Sequence, residues 1–349
     1  MKKLIFLIFI ALCAFRAMAQ TFEWNAKFDV IADNREFSTR YGFPQTIIGA
    51  RLKPEVGFAF DQNNRVMLGA SYFLLAGDSS FSQPILPVAY YHYRNSGFDF
   101  YAGFTPKMYQ KNSFPLAVYT DSLYYFAPIN QGFVANYENS WGDFSVSQSG
   151  LFDFFVNYNY GANEEFIAGF MGNVRWKWLQ INEWYYYQHQ RPAEYIAAGR
   201  PITDNGCAGI TGGVNVQERL FSVEAQAGVL SSWRRTRPAA HNNSAGFFAD
   251  GTVSFKRIIG MQVTHYNGDG IFLPLADPLY RSGNYTRFSF QINPLNRVKT
   301  LNNYCAMNFR FNWHRVAGEW NTSQQMFLTV NIDQIEKQTK TPNLPVGEM

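Results

Sequence analysis

The chain has 349 residues, of which 18% are aromatic and only 16% charged, against about a quarter charged in ordinary soluble domains. Thirty basic and 26 acidic residues leave it near neutrality, which excludes the broad basic field that nucleic-acid partners require. Three cysteines are too few for a disulfide scaffold.

The first twenty residues, MKKLIFLIFIALCAFRAMAQ, have the layout of a secretory leader. Lys2 and Lys3 form a positive end, Leu4 to Ala14 an apolar run, and Ala17-Met18-Ala19 a small-residue cleavage site. Residues 1–19 are therefore expected to be a signal peptide. The apolar run is too short to span a bilayer. Leu12 is larger than a lipoprotein site accepts before Cys13, so no lipid is expected there. Loss of Lys2, Lys3 and Arg16 leaves 27 basic residues against 26 acidic. Cys207 and Cys305 remain, and they read as buried small residues rather than a pair.

After the leader the chain alternates. In "TIIGARLKPEVGFAFD" one register gives Ile48, Ala50, Leu52, Pro54, Val56, Phe58 and Phe60, and the other carries Arg51, Lys53 and Glu55. Side chains two apart share a face of a β-strand, so this is a strand with one apolar and one polar face. Val66, Leu68, Ala70, Tyr72 and Leu74 repeat the pattern, as does "FDFYAGF" at 98–104. Residues 143–160 form one long run, and "FIAGFMGNVRW" sets Phe166, Phe170 and Trp176 against Asn173 and Arg175. Further strands follow at 221–229, 246–255, 287–293, 306–314 and 326–333, the last with Met326, Leu328, Val330 and Ile332 on its apolar face. The segments 86–94 and 181–189 carry aromatic residues on both faces and are the least distinct.

Tight hairpin signals such as Asn95-Ser96-Gly97 alternate with longer connectors at 31–45, 76–83, 105–131, 190–206, 234–243 and 268–284. The count is about sixteen strands, with both ends on one side. No window after the leader holds about 18 apolar residues, so helical spans are excluded. A secreted β-sandwich also alternates. Long aromatic-faced strands and alternating loop lengths favour instead an all-β, single transmembrane antiparallel up-and-down β-barrel over residues 20–333. Residues 334–349 read as a flexible periplasmic tail. In such a barrel Arg51, Lys53 and Glu55 line the lumen, because Arg or Lys facing lipid would cost about 2–4 kcal/mol near the midplane. At about sixteen strands that lumen is expected to hold water.

Leader, strand count and alternating loops resemble the general porin class of Gram-negative outer membranes. The likeness covers the mature chain but is architectural, and the last strand lacks the terminal aromatic residue many such barrels carry. It implies an outer-membrane channel for passive diffusion of small hydrophilic solutes or ions, with outer-membrane lipid around it and a homotrimer as the default assembly. It also implies that the segment 105–131 folds inward as a long pore-constricting loop. Lys107, Lys111 and Asp121 on that loop would then face Arg51, Lys53, Glu55, Arg175, Arg287 and Arg310 on the wall, giving a weak anion preference.

Two alternatives stay open: a sugar-selective channel, with Tyr119, Tyr124 and Tyr125 stacking on sugars beside Tyr185 and Tyr187, and a non-conducting docking subunit. No metal spacing, phosphate loop or dinucleotide fingerprint appears, so no metal or cofactor is expected. His314 lies near Asn321 and Ser323 across a hairpin at Val316–Gly318, but no nucleophile signature surrounds them. The sequence thus reads as a barrel that is not an enzyme.

Overall fold

The computed structural model describes residues 21–78, 83–154, 164–191, 201–298, 301 and 304–333. The leader and the tail from 334 lie outside the described residues, as does the part of the 143–160 run beyond Phe154.

The elements are sixteen strands in simple sequence order. They are β1 (Thr21–Glu36), β2 (Gln45–Ala59), β3 (Asn64–Leu75), β4 (Leu86–Asn95), β5 (Phe98–Pro106), β6 (Ile129–Trp141), β7 (Phe144–Asp153) and β8 (Glu164–Trp176). They continue as β9 (Leu179–Arg191), β10 (Thr203–Gln217), β11 (Phe221–Thr236), β12 (Asn242–Phe255), β13 (Ile259–Gly268), β14 (Asn284–Ile292), β15 (Cys305–Val316) and β16 (Glu319–Asp333). Each pairs antiparallel with the next, and β1 pairs with β16 from Asn25↔Asp333 to Glu36↔Thr322, closing the barrel. Closure leaves no unpaired edge, the condition for strands to cross hydrocarbon. The protein is an outer-membrane barrel whose connectors are short turns at one end and longer loops at the other, apart from the long connector 293–304 and the tight hairpin 317–318.

Alternation sets the faces. On β2, Leu52 and Val56 are half exposed on the outer wall, whereas Arg51, Lys53 and Glu55 are 3–5% exposed inside. Turn chemistry closes the hairpins. Ser96 and Gly97 both have positive φ (42° and 85°), and so do Ala317 and Gly318 (49° and 94°), as two-residue turns matching strand twist require. Pro54 lacks an N–H, and the β2–β3 ladder skips from Leu52↔Tyr72 to Glu55↔Gly69 around it. A Cβ on Gly69 would lie 2.3 Å from the Pro54 carbonyl, so glycine is needed there.

The first expected loop, 31–45, shrinks to 37–44 because β1 continues to Glu36. Its polar outward residues are paired across the rim: Thr46 donates to Asn34 Oδ1 at 2.7 Å, and Thr322 donates to Glu36 Oε2 at 3.1 Å.

The largest departure concerns the lumen. The expectation of a wide, water-filled bore with cheaply solvated charges is corrected: two loops enter it and pack together. The loop 107–128, which includes the short helix α1 (Leu123–Phe126), meets the loop 269–283 through Thr120 N–H to Leu275 O (2.7 Å) and Asp277 N–H to Leu116 O (2.9 Å). Phe114, Val118, Leu273 and Leu279 from these loops pack on Met171 and Phe248 of the wall. Sixteen strands leave room that side chains alone cannot fill, and the loops occupy it. Charges beside these loops, such as Arg51, Lys53, Lys107 and Asp121, are therefore buried and must be paired, whereas Arg175 and Glu224 stay half-buried.

Candidate active site at the extracellular rim of the lumen

The expected constriction residues are mostly tied into pairs. Arg51 donates to the Tyr124 carbonyl (2.6 Å) and to that of Tyr125, and its guanidinium lies over Phe73. Lys53 and Lys27 share Asp29, at 3.3 and 3.7 Å. Glu55 accepts from Tyr90 (2.8 Å) and Tyr109 (3.1 Å). Lys107 pairs with Asp153, and Lys111 with Glu138 and Asp99. Burial disfavours the Lys107 ammonium, but Asp153 outweighs burial and holds its pKa above the ordinary lysine value. Arg175 sits one residue from the periplasmic end of β8 and is not brought to the inward loop.

The tyrosines do not form a sugar platform. Tyr119 and Tyr125 are buried among loop and wall side chains. Tyr185 and Tyr187 face outward, because β9 turns Trp184, Tyr186 and Gln188 to the lumen. Cys207 and Cys305 are both free; Cys207 is buried and Cys305 half-buried.

A second set of loop and wall groups converges near the extracellular end. Asp121, on the inward loop, accepts from Arg35 (3.2 Å) and Gln325 (3.0 Å), while Arg35 also pairs with Asp33 at 2.6 Å. Burial alone would raise the Asp121 carboxyl, but Arg35 beside it pulls it below the usual carboxylate range. Arg287, on β14, donates to Gln262 and Thr264 and lies beside His314 in register.

His314 and Ser323 are the centre of this set. The β15–β16 hairpin turns on Ala317-Gly318, and its register pairs Asn312 with Ser323 and His314 with Asn321. Both side chains point inward, and Ser323 Oγ lies 2.9 Å from His314 Nε2. The Tyr285 hydroxyl is 2.9 Å from His314 Nδ1. Asn312 Nδ2 donates to Ser323 Oγ at 2.9 Å, and its own Oδ1 accepts from Ser289. In the tautomer with its proton on Nδ1, His314 donates to the Tyr285 hydroxyl and Nε2 accepts the Ser323 proton. Nε2 is thereby positioned as the base for a serine nucleophile.

Height matters as much as contact. Trp313 and Trp320 project outward from the same hairpin, at the level where tryptophan marks the membrane interface. The dyad lies behind a wall that ends two residues above His314. The segment 37–44 covers it from above. Phe37 sets its ring edge on His314 at 5.2 Å, and Asn321 Oδ1 accepts from the Ser38 and Thr39 amides at 2.7 and 3.3 Å.

A comparison with family models places residues 25–337 in the lipid A 3'-O-deacylase-type family. The chain belongs to that family. This overturns the expectation of a barrel that is not an enzyme. No nucleophile signature surrounds Ser323 in the chain, and β-register rather than a sharp turn brings it to His314. Comparison with curated protein sequences gave no match.

Solved structures similar to this deacylase-type chain are outer-membrane barrels. They include OmpT of Vibrio cholerae lacking loop L8 (8% identity, TM-score 0.52, covering 90% of this chain and 100% of that one). OmpF of Salmonella typhi in complex with daunomycin matches at 9% identity and TM-score 0.52, covering 88% and 97%. An anion-selective porin of Comamonas acidovorans matches at 9% and 0.50, covering 90% and 99%. At such identities the likeness is one of fold, and it agrees with the porin-class architecture read from the sequence.

The sequence reading noticed His314, Asn321 and Ser323 but set them aside, and it missed Tyr285, Asn312, Asp33 and Arg35. Inward parity on β14–β16 and β1 was the available signal. It places all of these on one face, but not which of them touch.

Proposed function

We propose that this protein is an outer-membrane acyl-ester hydrolase that removes an acyl chain from a lipid A-type glycolipid, with Ser323 as nucleophile and His314 as general base. The observation that carries the reading is the Oγ–Nε2 distance of 2.9 Å, with Nδ1 engaged by Tyr285. Membership of the deacylase-type family supports the substrate class.

In the proposed reaction Ser323 Oγ attacks the ester carbonyl carbon while its proton passes to His314 Nε2. The tetrahedral oxyanion lies within reach of the Asn312 amide. Collapse breaks the acyl–oxygen bond, His314 returns the proton to the departing sugar hydroxyl, and an acyl-serine remains. Water, deprotonated by His314, then releases the fatty acid and restores Ser323. Tyr285 orients the imidazole with a neutral hydroxyl, a weaker support for imidazolium than a carboxylate.

The porin-like fold supports a second reading, a diffusion channel. The paired, loop-filled lumen counts against it. The test is incubation of the purified, detergent-folded protein with lipid A and mass analysis of the product. Loss of one acyl chain by the native protein, and a fall of about 10³-fold or more with Ser323→Ala or His314→Gln, is expected. Unchanged lipid A with the folded native protein, or activity surviving Ser323→Ala, refutes the reading.

A further inference from the structure

A polar cluster on the outer wall, about a third of the circumference from the dyad, has no part in the chemistry above. It is built by one row of register partners across four strands: Phe166↔His189, His189↔Asp204 and Asp204↔Arg235. Partners in adjacent antiparallel strands share a face, and this face is the outer one, since Phe170 and Tyr185 lie below on the same parity and are exposed. The row sits within three residues of the extracellular ends of β9, β10 and β11.

A charged row facing outward at that height needs an explanation. Its geometry is ordered. His189 Nδ1 lies 2.7 Å from Asp204 Oδ1, and Tyr187 donates to the same oxygen at 3.1 Å. Arg237 donates Nε and Nη2 to Asp204 Oδ2, at 3.2 and 3.0 Å. Asp204 is thus consumed by its neighbours. Arg235 is not: its Nε is buried and has no hydrogen-bond partner. The Arg237 side chain keeps 48% of its surface exposed. The outward row therefore carries more positive charge than its one carboxylate neutralises.

Below it the wall is shaped. Trp233 lies across Gly206, where a Cβ would meet the indole at 2.3 Å. Further down, Gly212 pairs with Ala227 and Ala227 with Ala249, and the space above Gly212 is open. Between this small-residue row and the charged row lies a row of exposed apolar side chains, Ile210, Val229 and Phe247, so the wall below the charges is apolar.

We infer that this face binds a phosphorylated glycolipid of the outer leaflet, its phosphoryl group on Arg235 and Arg237 and its acyl chains over the exposed Ile210, Val229 and Phe247 below them. Charge complementarity selects the ligand: the Arg235 guanidinium and the Arg237 N–H groups not spent on Asp204 are cationic donors for phosphoryl oxygens at the extracellular end of the wall. The apolar row supplies the contact for the apolar half of an amphipathic ligand. The inference does not rest on the hydrolase reading.

The test is native mass spectrometry of the purified full chain with bis-phosphorylated lipid A and, separately, enzymatically dephosphorylated lipid A. The native protein is expected to hold the phosphorylated form at least tenfold more tightly, and R235Q/R237Q to lose that difference while still migrating as a folded, heat-modifiable barrel. Ser323→Ala should bind as the native protein does, which separates this site from the dyad. Equal retention of both lipids, or undiminished retention by R235Q/R237Q, overturns the proposal. So does a lipid-free oligomer that R235Q/R237Q dissociates, which would make this face an interface between copies.

Discussion

Replacing Lys107 by methionine should release the root of the inward loop and open the lumen. The ammonium pairs with Asp153, a carboxylate whose side chain is only 1% exposed and whose other oxygen accepts from the Gln131 amide at 2.8 Å. Removing one member of a buried pair strands the other charge, at a cost of about 3–5 kcal/mol. Each 1.4 kcal/mol is a factor of ten, so the population with the loop root undocked rises by about two to three orders of magnitude. The effect is confined to the root, because Arg51 holds the Tyr124 and Tyr125 carbonyls and Arg35 holds Asp121 further along. Two assays read it. Limited proteolysis should cut Lys107→Met near Met108–Asn112 and leave the native protein intact. Planar-bilayer recordings should show openings in the variant that the native protein lacks. Lys107→Met/Asp153→Leu, which removes both charges, should restore protection. Steady nanosiemens openings of the native protein, unchanged by Lys107→Met, would refute the idea that the paired loop fills the lumen.

Asp277, in the loop 269–283, is half-buried and its pKa is raised to about 6, chiefly by desolvation, although its carboxylate accepts from the Leu279 amide. Its folded pKa exceeds the unfolded value of 3.8, so docking of this loop weakens as pH rises from about 4 to 6, by at most about 3 kcal/mol. Asp277→Asn should keep the cap and abolish that dependence, measured as protease sensitivity of the loop against pH; a flat native profile would count against it. Tyr285→Phe removes the partner of His314 Nδ1 and should lower hydrolysis about 10–100-fold with little change in melting temperature. Phe37→Ala loses an edge-on ring contact worth about 0.5–1.5 kcal/mol and should speed cleavage of a small soluble ester several-fold; an unchanged rate would mean that the segment 37–44 does not limit access. Gly69→Val forces a Cβ against the Pro54 carbonyl and should lower heat resistance of the barrel, read by gel migration.

The period of two in the sequence determined the barrel, because facing lipid or lumen is a local choice made at every residue. Arg51, Lys53 and Glu55 were placed inside on that ground alone, and alternating connector lengths gave the strand count and its direction. The same logic misread residues 31–36 as loop, since at the rim both faces of a strand tolerate polar side chains. It also placed Tyr185 and Tyr187 inside, where aromatic residues on both faces of β9 concealed the parity. Parity says which face a residue occupies, but not what lies opposite it across a bore. Only the tertiary structure decided that the loops 107–128 and 269–283 meet and fill the lumen, turning solvated charges into buried pairs. Only register across the Ala317-Gly318 hairpin brought Ser323 to His314, and β14 then brought Tyr285 to the other nitrogen. Those contacts join residues up to 29 positions apart on three strands, and no local pattern encodes them.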